Sequence, residues 1–461
     1  MVSEAQAAER TAAGVDLSDA RLPRTVIGLA WPALVEELGL ALLGIVDTIL
    51  VGQLIGSDAL AGVGLGSLLL WLPMAGSLAI AIGGTAVVAR DAGAGELGRL
   101  SQALRDVIFL ASIWGVVSSL AAALLAGPAL RVMGAESDVL PLGATYMKAG
   151  AAAMLFQAVI FAGNAALRGV GDTRTPMVVA LIVNLINVVL AYALISGFWI
   201  APELEVLGSG LAFSIANGVG MAIVLLLLVR GRGILRYRLE GPALASWTGM
   251  QRVLSVGLPA GVEQVQFQVA FMLYARIISG LGTTAYAAHT VALRAEMLAI
   301  MPGWAFGVAA ATMVGQALGA GRPHIAERAA RLSHYYALAL MVLTGLLLLA
   351  LAPQVTRIFT DDSEVIDTGA DLLRIFAFAL PGLGTSAALA GGLRGAGDTR
   401  AVMTIYAFSA WLMRLPFAFL FAITLGFGAQ GAWLGAVLDN TVRGSAMWLR
   451  FRQGKWKEIQ V

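Results

Sequence analysis

Six carboxylates lie inside long apolar stretches of this chain, where a charged side chain is costly unless it is paired or hydrated. Apolar surroundings favour the protonated form of a carboxyl group, which makes such a group able to bind and release a proton near neutral pH. These residues are therefore candidates for reversible proton binding. They are Glu36, Glu37, Asp47, Glu263, Glu296 and Asp439.

Asp47 is the clearest candidate, because it lies in the uncharged run GIVDTILVG. Glu36 precedes it by eleven residues, which on an α-helix puts the two side chains about 20° apart around the axis and about 16 Å apart along it. One helix face could then carry a proton at two depths. Two structural alternatives stay open: Glu36 and Glu263 could each pair with a nearby arginine, and a hydrogen bond could neutralise Asp47.

The other carboxylates have basic neighbours in the sequence. Asp439 precedes Arg443 by four residues, which is the spacing of an ion pair on one helix, and Arg294 stands close to Glu296. Arg276 and Arg414 lie in other apolar stretches and could supply further partners. A polar site around Glu296 and Asp439 and a purely structural pairing both remain open.

The composition indicates a membrane protein. The 461 residues are 59% hydrophobic and only 13% charged, whereas soluble domains carry about 25% charge. The absence of cysteine excludes disulfides, thiol catalysis and thiolate metal sites, and three histidines leave little for a metal or haem centre. The net charge of +2 gives no indication of nucleic-acid binding, and no cofactor is expected.

The hydropathy pattern predicts an all-α polytopic membrane protein, because twelve stretches are long enough to cross a bilayer as helices. Most of the 30 basic residues fall in the two tails and in the loops after even-numbered stretches, so both termini are expected in the cytoplasm and the chain in the plasma membrane. The predicted spans are 29–52, 60–88, 107–127, 145–167, 176–198, 206–229, 253–278, 285–317, 333–355, 372–393, 402–424 and 428–449.

The chain repeats itself once. LRGVGDTRTPM at 167–177 returns as LRGAGDTRAVM at 393–403, and WPALVE at 31–36 returns as LPAGVE at 258–263. The nearly constant offset indicates a duplicated unit of six spans, and since six is even, both copies face the same way. We predict a cytoplasmic tail at 1–26, a first lobe at 27–229, a linker at 230–252, a second lobe at 253–450 and a tail at 451–461.

The repeated LRGxGDTR stretch is more typical of a turn than of a phosphate-binding loop. Its glycines can end one helix, and Thr175 with Pro176 can begin the next. Neither a preceding strand nor a following Gly-Lys-Ser/Thr is present, as a phosphate loop would require. HExxH, GxSxG and paired catalytic aspartate motifs are also absent, so we do not expect an enzyme.

These motifs together resemble the MATE (multidrug and toxic compound extrusion) family over roughly residues 25–457. The resemblance rests on PALVEELGLALLGIVDTILVGQLIGSDALAGVGL in the first span, the doubled LRGxGDTR, GLPAGVEQ, AAHTVALRAEML with ATMVGQALGAG, and the tail RFRQGKW. Within the family the chain is most similar to the prokaryotic, DNA-damage-inducible-like branch.

The resemblance implies an export antiporter with two six-helix lobes arranged as a V around a central cleft. In the family, an aspartate fifteen residues after a proline in the first span binds the coupling ion, and these residues correspond to Asp47 and Pro32. Pro32 would let the helix bend. An asparagine in the fifth span completes the cation site and matches Asn187, with Asn184 one turn earlier.

Two departures from the family pattern bear on the coupling ion. Ala191 stands where many members have a second aspartate, and PGLGTSAALAGGL at 381–393 lacks a further carboxylate. Na⁺ prefers several oxygen ligands and net negative charge, whereas a proton needs one suitable base. The sequence therefore favours protons over Na⁺ as the coupling ion.

The cargo is expected to be an amphiphilic, often cationic, small molecule exported by a monomer in contact with membrane lipids. Methionines and aromatic rings suit promiscuous binding, although such residues also commonly face lipid or pack between helices. An alternative of the same superfamily is export of a lipid or lipid-linked precursor. The predicted cleft residues are Met154, Phe156, Phe161, Phe267, Phe271, Met272, Tyr274 and Trp304.

Overall fold

The computed structural model describes residues 15–198, 202–231, 234–235 and 245–461, apart from the side chains at 45, 48, 49 and 57. Within these ranges the protein is built from helices and the turns that join them. Parts of the predicted N-terminal tail (1–14) and of the predicted linker (232–233 and 236–244) lie outside the described residues.

The helices are numbered so that each corresponds to one predicted span. The first six are α1 (Leu22–Leu54), α2 in two pieces (Ser57–Trp71 and Met74–Gly93), α3 (Leu97–Val132), α4 (Val139–Gly169), α5 (Arg174–Ser196) and α6 (Glu205–Arg230).

The second six helices follow the same plan. They are α7 (Trp247–Ser279), α8 (Thr283–Gly319), α9 (Pro323–Arg357), α10 in two pieces (Ser363–Ala377 and Leu380–Ala396), α11 (Thr399–Thr424, with π-helical turns at Ser409–Arg414 and Leu420–Thr424) and α12 (Gly428–Arg452). A short 3₁₀ turn, Lys455–Glu458, closes the chain.

Nine of these helices, within the described ranges, are long and apolar enough to cross a membrane, and α10 makes ten if its two pieces count as one span. The two pieces of α10 meet at a bend of 53°, where Pro381 begins the second piece and lacks the N–H that a continuous helix would use. Helices α7 and α12 are not apolar enough to be counted among these spans, because polar residues interrupt them. The polar residues are Glu263, Gln264, Gln266 and Gln268 in α7, and Asp439, Arg443, Arg450 and Arg452 in α12.

The helices group into two compact units. Unit 1 contains residues 35–258, and unit 2 contains residues 15–34 and 259–461. The first helix of each half therefore belongs to both units: α1 changes unit after Leu34, two residues past Pro32, and α7 changes unit at Pro259. Each proline lies inside its helix, where it removes one backbone hydrogen bond.

The segment before α1 and the first turns of α1 are packed into unit 2, although the sequence predicts a tail up to residue 26. The side chains of Val15, Leu17, Leu22 and Val26 are buried in an apolar cluster with residues of α8, α9 and α10. Asp19 also forms an ion pair with Arg328 at 3.0 Å. Burial of these apolar side chains explains why helix α1 begins earlier than the predicted span.

The predicted tail at 451–461 is likewise ordered against unit 2. The Trp456 ring is 1% exposed, stacks on Phe451 with the ring centroids 5.3 Å apart, and donates its indole N–H to the Phe451 carbonyl at 2.9 Å. Lys457 forms an ion pair with Glu327 of α9 at 2.5 Å. Helix α7 begins at Trp247, so the linker ends before residue 252, where the sequence predicts its end.

The repeated LRGxGDTR stretch forms the α4–α5 turn in unit 1 and the α10–α11 turn in unit 2. Gly171 and Gly397 both have φ of 91°, a conformation that favours glycine. In the first copy, Asp172 accepts hydrogen bonds from the Thr175 backbone N–H at 2.9 Å and from its hydroxyl at 2.6 Å. In the second copy, Asp398 forms an ion pair with Arg450 of α12 at 2.7 Å.

A close crossing of α8 and α10 in unit 2 leads to a stability prediction. A Cβ built on Gly391 would lie 2.1 Å from the Gly307 carbonyl oxygen, whereas one on Gly392 would meet only side chains at 3.5 Å. We expect Gly391→Ala to lower the free energy of unfolding by about 1–3 kcal/mol through overpacking.

The neighbouring Gly392→Ala variant is the matched control and should keep the wild-type melting temperature. Thermal unfolding of both purified variants in the same detergent measures the difference. Equal melting temperatures for the two variants would contradict the close backbone approach at Gly391.

Candidate functional site

The two repeat-related glutamates each form a buried ion pair inside one unit. In unit 1, Arg168 at the end of α4 pairs with Glu36 of α1 at 2.5 Å. In unit 2, Arg394 at the end of α10 pairs with Glu263 of α7. Both glutamates are 5% exposed, and both arginines come from the repeated LRGxGDTR stretch. Pairing with a nearby arginine, one of the alternatives left open for Glu36 and Glu263 from the sequence, is therefore what the structure contains.

Asp47 has a different environment. Its side chain is partly buried near the end of α1, and no hydrogen bond or ion pair joins it to another residue in the described part of the chain. The Asp47 carboxylate lies within electrostatic range of the buried Tyr146 side chain of α4. Asp47 is thus a carboxylate without an ion-pair partner in the described part of the chain.

The two asparagines predicted beside Asp47 lie on α5, which contacts α1. A Cβ built on Gly39 of α1 would lie 3.2 Å from the Asn184 side-chain nitrogen, so the two helices touch there. That nitrogen is buried and has no hydrogen-bond partner among the described residues. Asn187 is 4% exposed and lies one turn further along α5. The observed contact of Asn184 with α1 is thus at Gly39, eight residues before Asp47.

Ala191 occupies the position where the family pattern would place a second aspartate. It is fully buried in the apolar core of unit 1, together with Tyr146 and Met154 of α4. The residues predicted for the site on α1 and α5 are therefore one carboxylate and two amides. In the described ranges, no group of three or more histidine, aspartate or glutamate side chains is arranged to hold a metal ion.

Unit 2 contains a buried cluster of two guanidiniums around one carboxylate. Arg414 of α11 donates from Nε to Asp439 of α12 at 2.8 Å, and Arg443 donates to the same carboxylate oxygen. Arg443 also donates to the Ser409 hydroxyl at 3.0 Å. The i, i+4 pair of Asp439 and Arg443 that the sequence predicts is thereby confirmed. Removing Asp439 would leave two buried charges without their partner.

Aromatic rings cover the guanidiniums of this cluster. Arg414 lies over Phe267 at 5.8 Å and over Tyr274 at 5.6 Å, and Arg443 lies over Tyr406 at 4.6 Å. These contacts stabilise the cations in place of water. The faces of Phe267 and Tyr274, two of the predicted cleft residues, are therefore already occupied within unit 2.

Glu296 of α8 lies within electrostatic range of Arg414, Arg443 and Asp439. It forms no ion pair with the exposed Arg294 in the described structure, because residues two apart on a helix point to different sides. With one aspartate facing two arginines, the cluster has a net charge of +1 when Glu296 is protonated and zero when it is ionised. Glu296 therefore sets the charge of this buried group.

Several polar atoms beside this cluster are buried without a hydrogen-bond partner in the described ranges. They include the Tyr274 hydroxyl, one Asp439 oxygen and His289 Nε2. The Trp433 indole N–H donates to His289 Nδ1 at 3.2 Å, so that nitrogen is unprotonated and a neutral His289 has its hydrogen on Nε2. Donors and acceptors of this kind are normally satisfied by buried water.

The remaining predicted cleft residues are found in varied settings. Met154 is buried in the core of unit 1, and Phe156 packs against Gly218. Phe161 is partly buried. Phe271 stacks on Phe267 with the centroids 6.5 Å apart. Met272 and Trp304 expose 59% and 47% of their surfaces and are the most accessible of the set.

Sequence reasoning did not single out Tyr146 beside Asp47, nor Arg168 and Arg394 as the partners of the two glutamates. The arginines had a usable signal, because Arg168 and Arg394 repeat at nearly the same offset as Glu36 and Glu263. No signal in the sequence links His289 with Trp433, which is 144 residues away.

The family model and the relatives that match this chain agree on one family. The MatE family model matches residues 32–193 and 259–420, one match in each half. A probable multidrug resistance protein NorM of Thermotoga maritima is 30% identical over 95% of this chain and 94% of its own length. The multidrug resistance protein PmpM of Pseudomonas aeruginosa is 29% identical over 93% of this chain and 90% of its own length.

Solved structures show the same fold. The outward-facing conformation of a multidrug resistance MATE family transporter of the MOP superfamily is similar, with a TM-score of 0.90, 23% identity and coverage of 97% of this chain and 99% of that chain. A variant of the Vibrio cholerae MATE transporter VcmN has a TM-score of 0.87, 25% identity and coverage of 94% and 97%. This chain, with its two repeated six-helix halves, therefore belongs to the MATE family of membrane transporters, and it is not an enzyme.

Proposed function

We propose that this transporter exports amphiphilic, often cationic, small molecules across the plasma membrane in exchange for protons. The multidrug resistance names of the relatives in Thermotoga and Pseudomonas support the drug cargo. The distribution of Lys and Arg in the sequence supports a topology with both termini in the cytoplasm. The chain works as a monomer, with lipids around its apolar helices.

The observation that carries the choice of proton is that Asp47 has no ion-pair partner among the described residues and that α5 supplies no second carboxylate. Asp47 has no ion-pair partner in the described structure, and the alanine at 191 removes the second carboxylate that a cation site would use. A hard cation such as Na⁺ needs several oxygen ligands, whereas one carboxyl group in apolar surroundings is sufficient for a proton.

Proton binding changes the electrostatics of α1 by one full charge. An ionised Asp47 attracts a cationic substrate and must be stabilised by water or by the amides of Asn184 and Asn187. A protonated Asp47 is neutral, loses the attraction to the cation and is compatible with apolar packing. Substrate and proton therefore exclude one another at the same carboxylate, which is the condition for exchange in opposite directions. Pro32 gives α1 a place to bend between the two states.

The accessible apolar residues are the ones we assign to the substrate. Met272 of α7 and Trp304 of α8 keep about half of their surfaces exposed, whereas the rings of Phe267 and Tyr274 already lie beneath arginines. A flexible thioether and a flat indole tolerate substrates of different shapes. Glu296 and Asp439 then serve unit 2 as a secondary polar centre whose charge depends on protonation.

Replacing Asp47 by asparagine should reduce gradient-driven efflux to the level of protein-free liposomes. The amide has nearly the same shape but cannot bind and release a proton, so the protein should keep its fold and its melting temperature. Transport of a fluorescent cationic dye by the purified variant in liposomes measures the effect. Asp361→Asn, an exposed aspartate between α9 and α10, is the matched control and should transport normally. Wild-type rates in Asp47→Asn would contradict the proposed role.

The coupling ion can be tested with one gradient at a time. In liposomes with an imposed pH difference and no sodium, the wild-type protein should transport the dye against its gradient. An imposed Na⁺ difference at equal pH should give no transport above the protein-free control. The opposite pattern, with transport driven by Na⁺ alone, would overturn the proton assignment and leave the family assignment intact.

A further inference from the structure

The two halves of the sequence exchange their opening segments. Residues 15–34, which open the first half, belong to unit 2, and residues 246–258, which open the second half, belong to unit 1. We call them the first and the second leading segment. The described residues that follow each leading segment, up to the linker or to the end of the chain, lie in the other unit.

Charged and polar contacts hold the second leading segment on unit 1. Arg252 donates to both carboxylate oxygens of Asp91 on α2, at 2.9 and 3.3 Å. The Ser246 backbone N–H donates to Asp106 of α3 at 2.6 Å. Asp91 and Asp106 are 4% and 1% exposed. Two buried carboxylates of the first half therefore take hydrogen-bond donors from the second half.

The backbones are also close together in this contact. A Cβ on Gly257 of the second leading segment would overlap the Ala79 carbonyl oxygen of α2. A Cβ on Gly83 of α2 would likewise overlap the Val253 carbonyl oxygen. The two helices thus approach through glycines on both sides, and a larger side chain at either glycine would push them apart.

Apolar packing holds the first leading segment on unit 2. Leu22 and Val26 are fully buried in a cluster with side chains of α8, α9 and α10. The ion pair of Asp19 with Arg328 is exposed on both sides, and surface pairs of this kind contribute little to stability. The first leading segment is therefore held mainly by apolar burial.

The two accepting faces are equivalent positions of α2 and α8. Val87 of α2 borders the same small cavity as Gly249 and Arg252 of the second leading segment. Three residues at intervals of four on α2 meet that segment, and the residues 226 positions later on α8 lie in the apolar cluster with the first segment. They are Gly83, Val87 and Asp91 on α2, and Ala309, Met313 and Ala317 on α8. The charge differs only where Asp91 is replaced by Ala317.

We propose that each leading segment is a docking helix for the opposite half of the sequence, so that the two halves recognise one another without a continuous linker. The face on unit 1 selects a helix with a cation, because any other would leave Asp91 buried without its ion-pair partner. The face on unit 2 selects an apolar helix. The inference concerns assembly and is independent of the cargo and of the coupling ion.

Cutting the linker of the assembled protein tests this proposal. A protease recognition sequence is inserted between residues 239 and 240 of the full chain, which carries an affinity tag at its N-terminus. The protein is purified in a mild detergent, cut, and bound to the affinity column. We expect the second half to be retained with the tagged first half in equal amounts. Loss of the second half in the flow-through would overturn the proposal.

Substitutions at Arg252 show whether the charged contact causes this association. Arg252→Ala should raise the released fraction of the second half about tenfold, because Asp91 loses its partner. The exposed neighbour Gln251 provides the matched control, and Gln251→Ala should retain the second half as the wild type does. Asp91→Asn combined with Arg252→Gln should restore most of the retention, since no buried charge is then unpaired.

Equal retention in Arg252→Ala and Gln251→Ala would show that the halves merely share a detergent micelle, and would overturn the docking role of the segment. A double variant that releases as much as Arg252→Ala would overturn selection by charge. Each variant is first examined uncut by gel filtration, so that a folding defect is recognised before cutting.

The apolar face of unit 2 gives a second, independent test. Leu22→Ala combined with Val26→Ala should also raise the released fraction after cutting, because both side chains are fully buried. Ile27→Ala is the matched control, since Ile27 is 49% exposed on the same segment. The same release from both variants would overturn the docking of the first leading segment on unit 2.

Discussion

The cost of placing a charge among apolar helices is the constraint on which this structure depends. The chain meets that cost in both units with arginines that reach buried carboxylates: Arg168 with Glu36, Arg394 with Glu263, and the pair Arg414 and Arg443 with Asp439. Each of these carboxylates is fixed by its partner. Asp47 has no such partner in the described residues, and we propose that its charge depends on a proton.

The duplication explains both what the halves share and where the chemistry differs. Each half pairs a glutamate of its first helix, four residues after that helix's proline, with the first arginine of LRGxGDTR. The position that holds Asp47 in the first half holds Tyr274 in the second, and Tyr274 lies beneath Arg414. Glu37 and Gln264 form a second difference of the same kind. The proton chemistry that we propose for Asp47 therefore has no counterpart at the equivalent position of the second half.

The sequence was sufficient to predict features with a short period or an exact repeat. Twelve helices, the duplication and the Asp439–Arg443 pair follow from hydropathy, from the repeated motif and from i, i+4 spacing. The helix bounds were less predictable, because Val15, Leu17 and Trp456 are isolated apolar residues in polar segments and their burial depends on tertiary contacts. The 53° bend of α10 and the two π-helical stretches of α11 were also not predicted.

The partners of the buried polar residues could not be predicted from the sequence, because they are contacts between residues far apart along the chain. Glu36 could have served transport or a structural pair, and only the position of Arg168, 132 residues away, separates the two. The partner of Asp439 from α11, and the hydrogen bond between Trp433 and His289, likewise join residues that no local spacing connects. Hydropathy identifies which carboxylates are buried, but their role depends on which arginines the fold brings to them.

Proton countertransport is the most direct test of the central claim that Asp47 exchanges a proton for substrate. In sodium-free liposomes that contain a pH-sensitive dye, an outward substrate gradient should drive protons in the opposite direction through the wild-type protein and not through Asp47→Asn. Substrate movement without any accompanying proton movement in the wild-type protein, or proton movement that persists in Asp47→Asn, would contradict the account.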